Sequence, residues 1–372
     1  MVGPDPRRWS SLTPMSAESR AGRDPSRLIH TGQALVDAVV EIPAVPRNGG
    51  NTMASSYRQY AGGAVNTLVA AARSGGRATH AGAIGQGPNA RLIREVLAAQ
   101  GVEISAPAVP EADSGVCIVL VEPSGERTFI TTTGAERIIS VGSLATSDPQ
   151  PGDAVCVTGY SLVMASTRDP LLEWLSGLPA GVDVVLDPGD VMAGLPAAVH
   201  ERMRALTTVW TGNLEESRAL AGLVAPDAGD LTMAQTLEPC ARSLPRGTVV
   251  ITRDGSNGCA VLADGRLSVV PGFPMEAVDT NGAGDVHTGA LLAARLSGTA
   301  RLGRAAQVDK TAQASGGAQV GGTNRQGGTA QVNGADWEDA ARWANAAAAI
   351  SVTRRGPDTA PGIDEIRVLL ES

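Results

Sequence analysis

Between residues 153 and 252 the chain alternates short apolar runs with amphipathic segments, and this rhythm limits its folds more than any other feature. Buried-type strands are expected at 154–158, 182–187, 208–210 and 248–252, with helices at 168–178, 197–206, 214–223 and 233–243. Strands that alternate with helices imply right-handed βαβ crossovers, hence an α/β fold with a doubly wound, mostly parallel sheet flanked by helices. Further helices are expected at 64–73, 90–100, 283–296, 337–353 and 364–370. The first third does not keep the rhythm. An opening strand at 28–42 runs outward, a polar stretch follows to 60, a strand is expected at 78–84, and short turn-bounded strands follow at 104–109, 116–121 and 128–132. These pieces are expected to build a small β-sheet lid from segments 36–60 and 105–133.

Two segments stand outside this plan. Residues 1–27 are rich in Arg, Ser, Pro and Gly without an apolar stretch, which reads as a flexible tail and not as a secretory signal. Residues 301–335, dominated by Gly, Gln, Ala, Asn and Thr, carry too little apolar surface to offset ordering entropy and read as a disordered insertion. The rest, 28–372, reads as one domain. Its 38 acidic against 30 basic residues, a net charge of −8, argue against a sequence-independent nucleic-acid binder. No apolar run reaches the roughly 18 residues of a membrane span. Cys117, Cys156, Cys240 and Cys259 are too scattered for a zinc site or a disulfide framework, so buried thiols in a reducing cytoplasm are expected.

The segment Val278-Asp279-Thr280-Asn281-Gly282-Ala283-Gly284-Asp285 carries the most chemistry. Glycines at a helix entrance let a ligand approach the backbone, and the first helical N–H groups, lacking intrahelical acceptors, suit phosphate oxygens. Asp285 would stand in the first turn beside that phosphate. One reading makes it the general base for a hydroxyl attacking a γ-phosphorus; the other makes it ordinary first-turn stabilisation of a helix. No Gly-Lys-[Ser/Thr] loop and no G-x-G-x-x-G after the first strand is present, which removes the P-loop and dinucleotide readings. Upstream, Gly62-Gly63-Ala64-Val65-Asn66 opens another helix; alone, this is either a turn with close packing or a ligand-facing loop.

Together the two motifs resemble the signatures of the ribokinase-like (PfkB) carbohydrate kinases, over about residues 28–300 and 336–370. The resemblance implies an ATP-dependent kinase that transfers the γ-phosphate to a hydroxymethyl group of a small sugar such as ribose, fructose or 2-keto-3-deoxygluconate. It implies Asp285 as the base with Gly282, Ala283 and Gly284 forming the anion hole, and Asp37, Gly62, Gly63 and Asn66 on the sugar side. Asn213, Thr252, Asp254, Gly255, Gly258 and Asn345 fall at its nucleotide side. Glu216, in Asn213-Leu214-Glu215-Glu216, falls where the family acts on Mg²⁺ through water; the other reading of that motif is a capped helix with solvated acids. Asp279, Asn281, Ser351, Arg354 and Gly356 flank a candidate monovalent cation (K⁺) site. The family also implies ATP and Mg²⁺ as cofactors and a homodimer formed through the lid.

Departures from the family pattern bear on specificity. Asn281 stands where Thr is usual, and His287 replaces a customary Phe, as a core histidine or a substrate contact. Gly85-Gln86-Gly87 lacks an aspartate common after this strand, and Ala64 stands where ribokinase has lysine. Kinases for nucleosides or phosphosugars are alternatives within the family; Arg47, Arg58 and Arg127 are the lid residues available for a second anion site, unless they are merely solvated. A catalytically silent sugar or nucleotide sensor is the alternative of another class.

Overall fold

The computed structural model describes residues 26–298, 335–356 and 358–372. The expected tail at 1–27 and insertion at 301–335 therefore lie outside the described residues, apart from Ser26, Arg27 and Ala335. Thirteen strands in the described residues form two sheets. The large sheet contains β1 (Arg27–His30), β4 (Arg77–His80), β5 (Glu103–Ile104), β8 (Ala154–Thr158), β9 (Asp183–Asp187), β10 (Val209–Asn213), β11 (Val249–Arg253), β12 (Gly258–Ala263) and β13 (Arg266–Pro271). Its order is β13-β12-β11-β10-β9-β8-β1-β4-β5, parallel from β11 to β5 and antiparallel through the β11–β13 edge. The small sheet, β3-β2-β6-β7, is built from β2 (Ala34–Glu41), β3 (Ser56–Gly63), β6 (Val116–Val121) and β7 (Arg127–Thr131).

The helices are α1 (Ala64–Arg73), α2 (Pro88–Ala99), α3 (Val141–Ala145), α4 (Ala165–Ser176), α5 (Ala197–Leu206), α6 (Leu214–Ala221), α7 (Met233–Arg242), α8 (Ala283–Ser297), α9 (Ala335–Ser351) and α10 (Ile363–Glu371). They pack on both faces of the large sheet and divide the core in two. One layer joins Leu28, Cys156 and Ile251 to α1, α8 and α9; the other joins Ile29, Val155 and Trp210 to α4 and α7. This is the expected inward alternation of fully buried parallel strands.

Three sequence expectations need correction. The single strand at 28–42 is two, because the Thr31-Gly32-Gln33 step carries the chain from the large sheet into the lid. The strand at 104–109 shrinks to Glu103–Ile104 and pairs with β4 in the large sheet, so the second lid segment begins at Val116. Pro107 and Pro110, which cannot donate to a ladder, end it. The β12–β13 hairpin was missing from the plan, although Asp264-Gly265 is a hairpin dipeptide, and both residues adopt positive φ (51° and 74°) as a type I′ turn requires.

Candidate active site

Parallel sheets present their ligand sites at the carboxyl ends of the strands. Here those ends carry His30, Thr158, Asp187, Asn213 and Arg253, all of which border one cavity of about 1010 Å³. The lid supplies Leu35, Asp37, Cys117, Phe129 and Thr131 to the same space, and α8 supplies Gly284, Asp285 and His287.

Asp285 is placed by helix packing. Gly289 of α8 lies against α1 so closely that a Cβ there would stand 2.2 Å from the Thr67 carbonyl oxygen. That approach lets Asn66 Nδ2 donate to Asp285 Oδ2 at 3.2 Å and Thr67 Oγ1 to Oδ1 at 3.4 Å. Gly282 caps α8 in the left-handed region (φ 74°), and the first i→i−4 bond runs from Val286 N–H to the Gly282 carbonyl. The amides of Gly284 and Asp285 therefore have no acceptor within the helix, whereas the Ala283 N–H reaches the Thr280 carbonyl at 3.3 Å. Burial raises the Asp285 carboxyl to about 6, with the charge of Asp187 adding to the effect and the Asn66 bond opposing it.

Asp37 reaches the cavity from β2. Two glycines at the end of the neighbouring strand β3 have a steric reason: a Cβ on Gly62 would lie 2.1 Å from Asp37 Oδ2, and one on Gly63 would lie 2.4 Å from the Gln33 carbonyl. Gly63 also sits at φ 63°, open chiefly to glycine. Burial raises Asp37 to about 7, and the nearby Asp285 charge adds to this.

A cluster that the motif reading did not single out ties these parts to the sheet. Arg253 Nη2 donates to Asp187 Oδ1 at 3.1 Å, Thr288 Oγ1 to Asp187 Oδ2 at 2.9 Å, and Arg253 Nη1 to the Gly284 carbonyl at 2.9 Å. Glu216 approaches the same guanidinium at 3.9 Å. Asn213 and Glu216 form a reciprocal capping box, each side chain accepting from the other's N–H at 2.8 Å. The capped-helix reading is thus realised, but Glu216 is not solvated: its side chain is 11% exposed and borders the cavity.

The remaining candidates divide. Gly255 and Asn345 border the cavity, whereas Thr252, Asp254 and Gly258 do not. The Thr252 hydroxyl is spent on Ser217 and Thr236, Asp254 accepts from Asn257, and Gly258 is pressed against β13 at φ 94°. Asn345 Nδ2 donates to the Val270 and Pro271 carbonyls, leaving Oδ1 to accept from His287 Nε2 at 3.1 Å. His287 is therefore a buried, neutral ring, pushed down to about 3 by burial and by Arg253. Asn281 lines the cavity, but Asp279, Ser351, Arg354 and Gly356 lie outside its wall. Asp279 Oδ1 accepts the Asn281 N–H at 2.8 Å and pairs with Arg127 of the lid, while Oδ2 accepts the Gly356 N–H at 3.1 Å. Of the three lid arginines, Arg127 is thus committed, and Arg47 and Arg58 are exposed away from the cavity.

With that geometry in place, the family model described as pfkB family carbohydrate kinase matches residues 29–363. The chain belongs to this family. Among curated relatives of this PfkB kinase, the uncharacterised sugar kinase YegV of Escherichia coli K12 is 33% identical over 269 residues, covering 72% of this chain and 81% of YegV. Ribokinase of Haemophilus influenzae is 25% identical over 270 residues, covering 71% and 84%. Arabidopsis thaliana ribokinase, solved with ribose and ATP, superposes with a TM-score of 0.67 at 21% identity, covering 94% of this chain and 100% of that one, which shows a shared fold. The PfkB kinase is an ATP-dependent sugar kinase. No helix among its described residues is long and apolar enough to cross a membrane.

Proposed function

We propose that this kinase phosphorylates a hydroxymethyl group of a small sugar with Asp285 as general base. The observation that carries the reading is the Asp285 carboxylate, held by Asn66 and Thr67 at the mouth of α8 and facing the cavity that Asp37 enters from the lid. Asp37 and Asn66 orient the acceptor, and Asp285 takes the proton of its hydroxyl as that oxygen bonds to the γ-phosphorus and the bond to the bridging oxygen of ADP breaks. The unpaired amides of Gly284 and Asp285 receive the charge of the transferred group. Arg253, anchored by Asp187 and bonded to the Gly284 carbonyl, keeps that loop in place. Gly255, Asn213 and Asn345 border the nucleotide half of the cavity.

The described residues hold no cluster of three or more ligating side chains that could cage a metal. Mg²⁺ is usually held by one or two carboxylates, water and phosphates, and Glu216 in the first turn of α6 with Asp187 at the end of β9 would fit that manner of binding. When bound, Mg²⁺ offsets phosphate charge. A monovalent cation fits poorly at Asp279, since the Arg127 guanidinium and two backbone amides already occupy its carboxylate, and Arg354 pairs with Glu365. No step is assigned to K⁺. The lid leaves Tyr57 and Ile130 exposed on its edge strands, which supports pairing of two lids in a homodimer. Four buried, unpaired cysteines support a reducing, cytoplasmic location.

The Asp285→Asn variant tests the reading. It should retain ATP binding by calorimetry while turnover in an ADP-release assay falls by about two to four orders of magnitude. Near-normal turnover would remove the base assignment.

A further inference from the structure

The acceptor half of the cavity holds a cation that the phosphoryl-transfer reading does not use. Arg137 closes the short 3₁₀ turn Ala135–Arg137 after the last lid strand and borders the same cavity as Asp37 and Asp285. Its Nη1 donates to the Tyr160 carbonyl at 3.0 Å, and its Nε is buried without a partner. It forms no ion pair with any described residue. Its neighbour Glu136 is turned away, the carboxylate accepting the Gly115 and Gly134 N–H groups at 2.7 and 2.8 Å. Asp190, also on the wall, is held by the Tyr160 hydroxyl at 2.7 Å. The other guanidinium on the wall, Arg253, is neutralised by Asp187 and Glu216, and His30 and His287 are neutral.

The one charge that acts on Arg137, Glu136, spends its carboxylate on two backbone amides, so burial outweighs it and weakens the hold of the guanidinium on its proton; an anionic ligand in the cavity would offset that cost. We propose that Arg137 binds a carboxylate of the acceptor, so that the preferred substrates of this kinase are sugar acids. The shape of the site favours carboxylate over phosphate. With Nε buried and Nη1 fixed by a backbone carbonyl, the guanidinium presents a single cationic edge, which suits a monoanion. A phosphate dianion would have one cation to share with the acidic groups Asp37, Asp190 and Asp285 on the same wall. Arg137 follows the lid strands while Asp285 opens α8, so a carboxylate held by Arg137 sets the register of the sugar and takes no part in bond breaking.

This inference rests on the sugar-kinase reading above, and the test separates the two. ADP release is measured with gluconate, 2-keto-3-deoxygluconate and glucuronate, with ribose, fructose and glucitol, and with ribose 5-phosphate and fructose 6-phosphate. A sugar acid is expected to give the highest kcat/KM. In Arg137→Met, which keeps the apolar stem, the ratio of kcat/KM for the best acid to that for the best neutral sugar should fall by about 30- to 100-fold, chiefly through KM. Arg137→Lys should retain part of the ratio. Because each ratio is taken within one variant, a partly misfolded preparation does not distort it. Preference for a neutral sugar or a sugar phosphate, or a ratio unmoved by Arg137→Met, overturns the carboxylate site and leaves the kinase intact. No ADP release on any acceptor overturns the acceptor reading beneath it.

Discussion

At the scale of single residues, the two cavity carboxylates set activity and stability against each other. Asp285 and Asp37 titrate at about 6 and about 7 in the folded chain, above the ordinary value of 3.8. The folded state therefore binds protons that the unfolded state has released, and stability from these groups, full below about pH 4, is lost as pH rises through 6 and 7. In the proposed mechanism, by contrast, Asp285 works as a base only when ionised. Thermal melts from pH 5 to 8 should show Tm falling with pH, less steeply in Asp285→Asn, while kcat/KM climbs about tenfold per pH unit below pH 6. Since the charge of one carboxylate contributes to the shift of the other, the apparent values belong to the pair. Asp285, Asn66 and Asp37 could be named in the sequence through the resemblance of their segments to the family's signatures. Asp187 and Arg253 could not: they lie 66 residues apart and meet only because β9 and β11 flank β10. The available signal was a charged residue at or just past the end of two expected strands, Asp187 closing 182–187 and Arg253 following 248–252.

At the scale of elements, the contact between α1 and α8 is the joint that holds Asp285, the proposed base, in place. Gly289→Ala would force a methyl into the Thr67 carbonyl, 2.2 Å away. Overpacking of this kind should cost about 1–3 kcal/mol in denaturant titrations, and turnover should fall because Asp285 leaves Asn66. The pair between Arg127 and Asp279 is a second joint, linking a lid strand to the loop before α8. Arg127→Ala should raise ATP hydrolysis in the absence of sugar, as a loosened lid admits water. Replacing K⁺ by a bulky organic cation should leave wild-type turnover within about twofold, the guanidinium already filling the electrostatic role. The helix bounds were readable where periodicity and glycine caps agree, at α1 and α8. The lid was readable only in outline, since turn-bounded pieces of five to eight residues do not reveal which sheet they join; Glu103–Ile104 shows the ambiguity.

At the scale of the whole molecule, the α/β alternation after residue 153 was enough to deduce a mostly parallel sheet, because parallel strands need crossovers and crossovers need helices. Nothing local announces an antiparallel edge, and β12–β13 could be inferred only from the Asp264-Gly265 turn. If the lids pair, sedimentation should give twice the chain mass at micromolar concentration, and Ile130→Asp on the lid's β7 edge should return it to one. The chain leaves the large sheet at His30 and enters the small one at Ala34. On the proposed reading, the groups that handle the nucleotide's phosphates thus stand on the large sheet and its helices, and Asp37, which greets the acceptor, stands on the smaller sheet. Drift in the smaller sheet can recruit new metabolites without disturbing the reaction itself, so the architecture separates what the enzyme does from what it does it to.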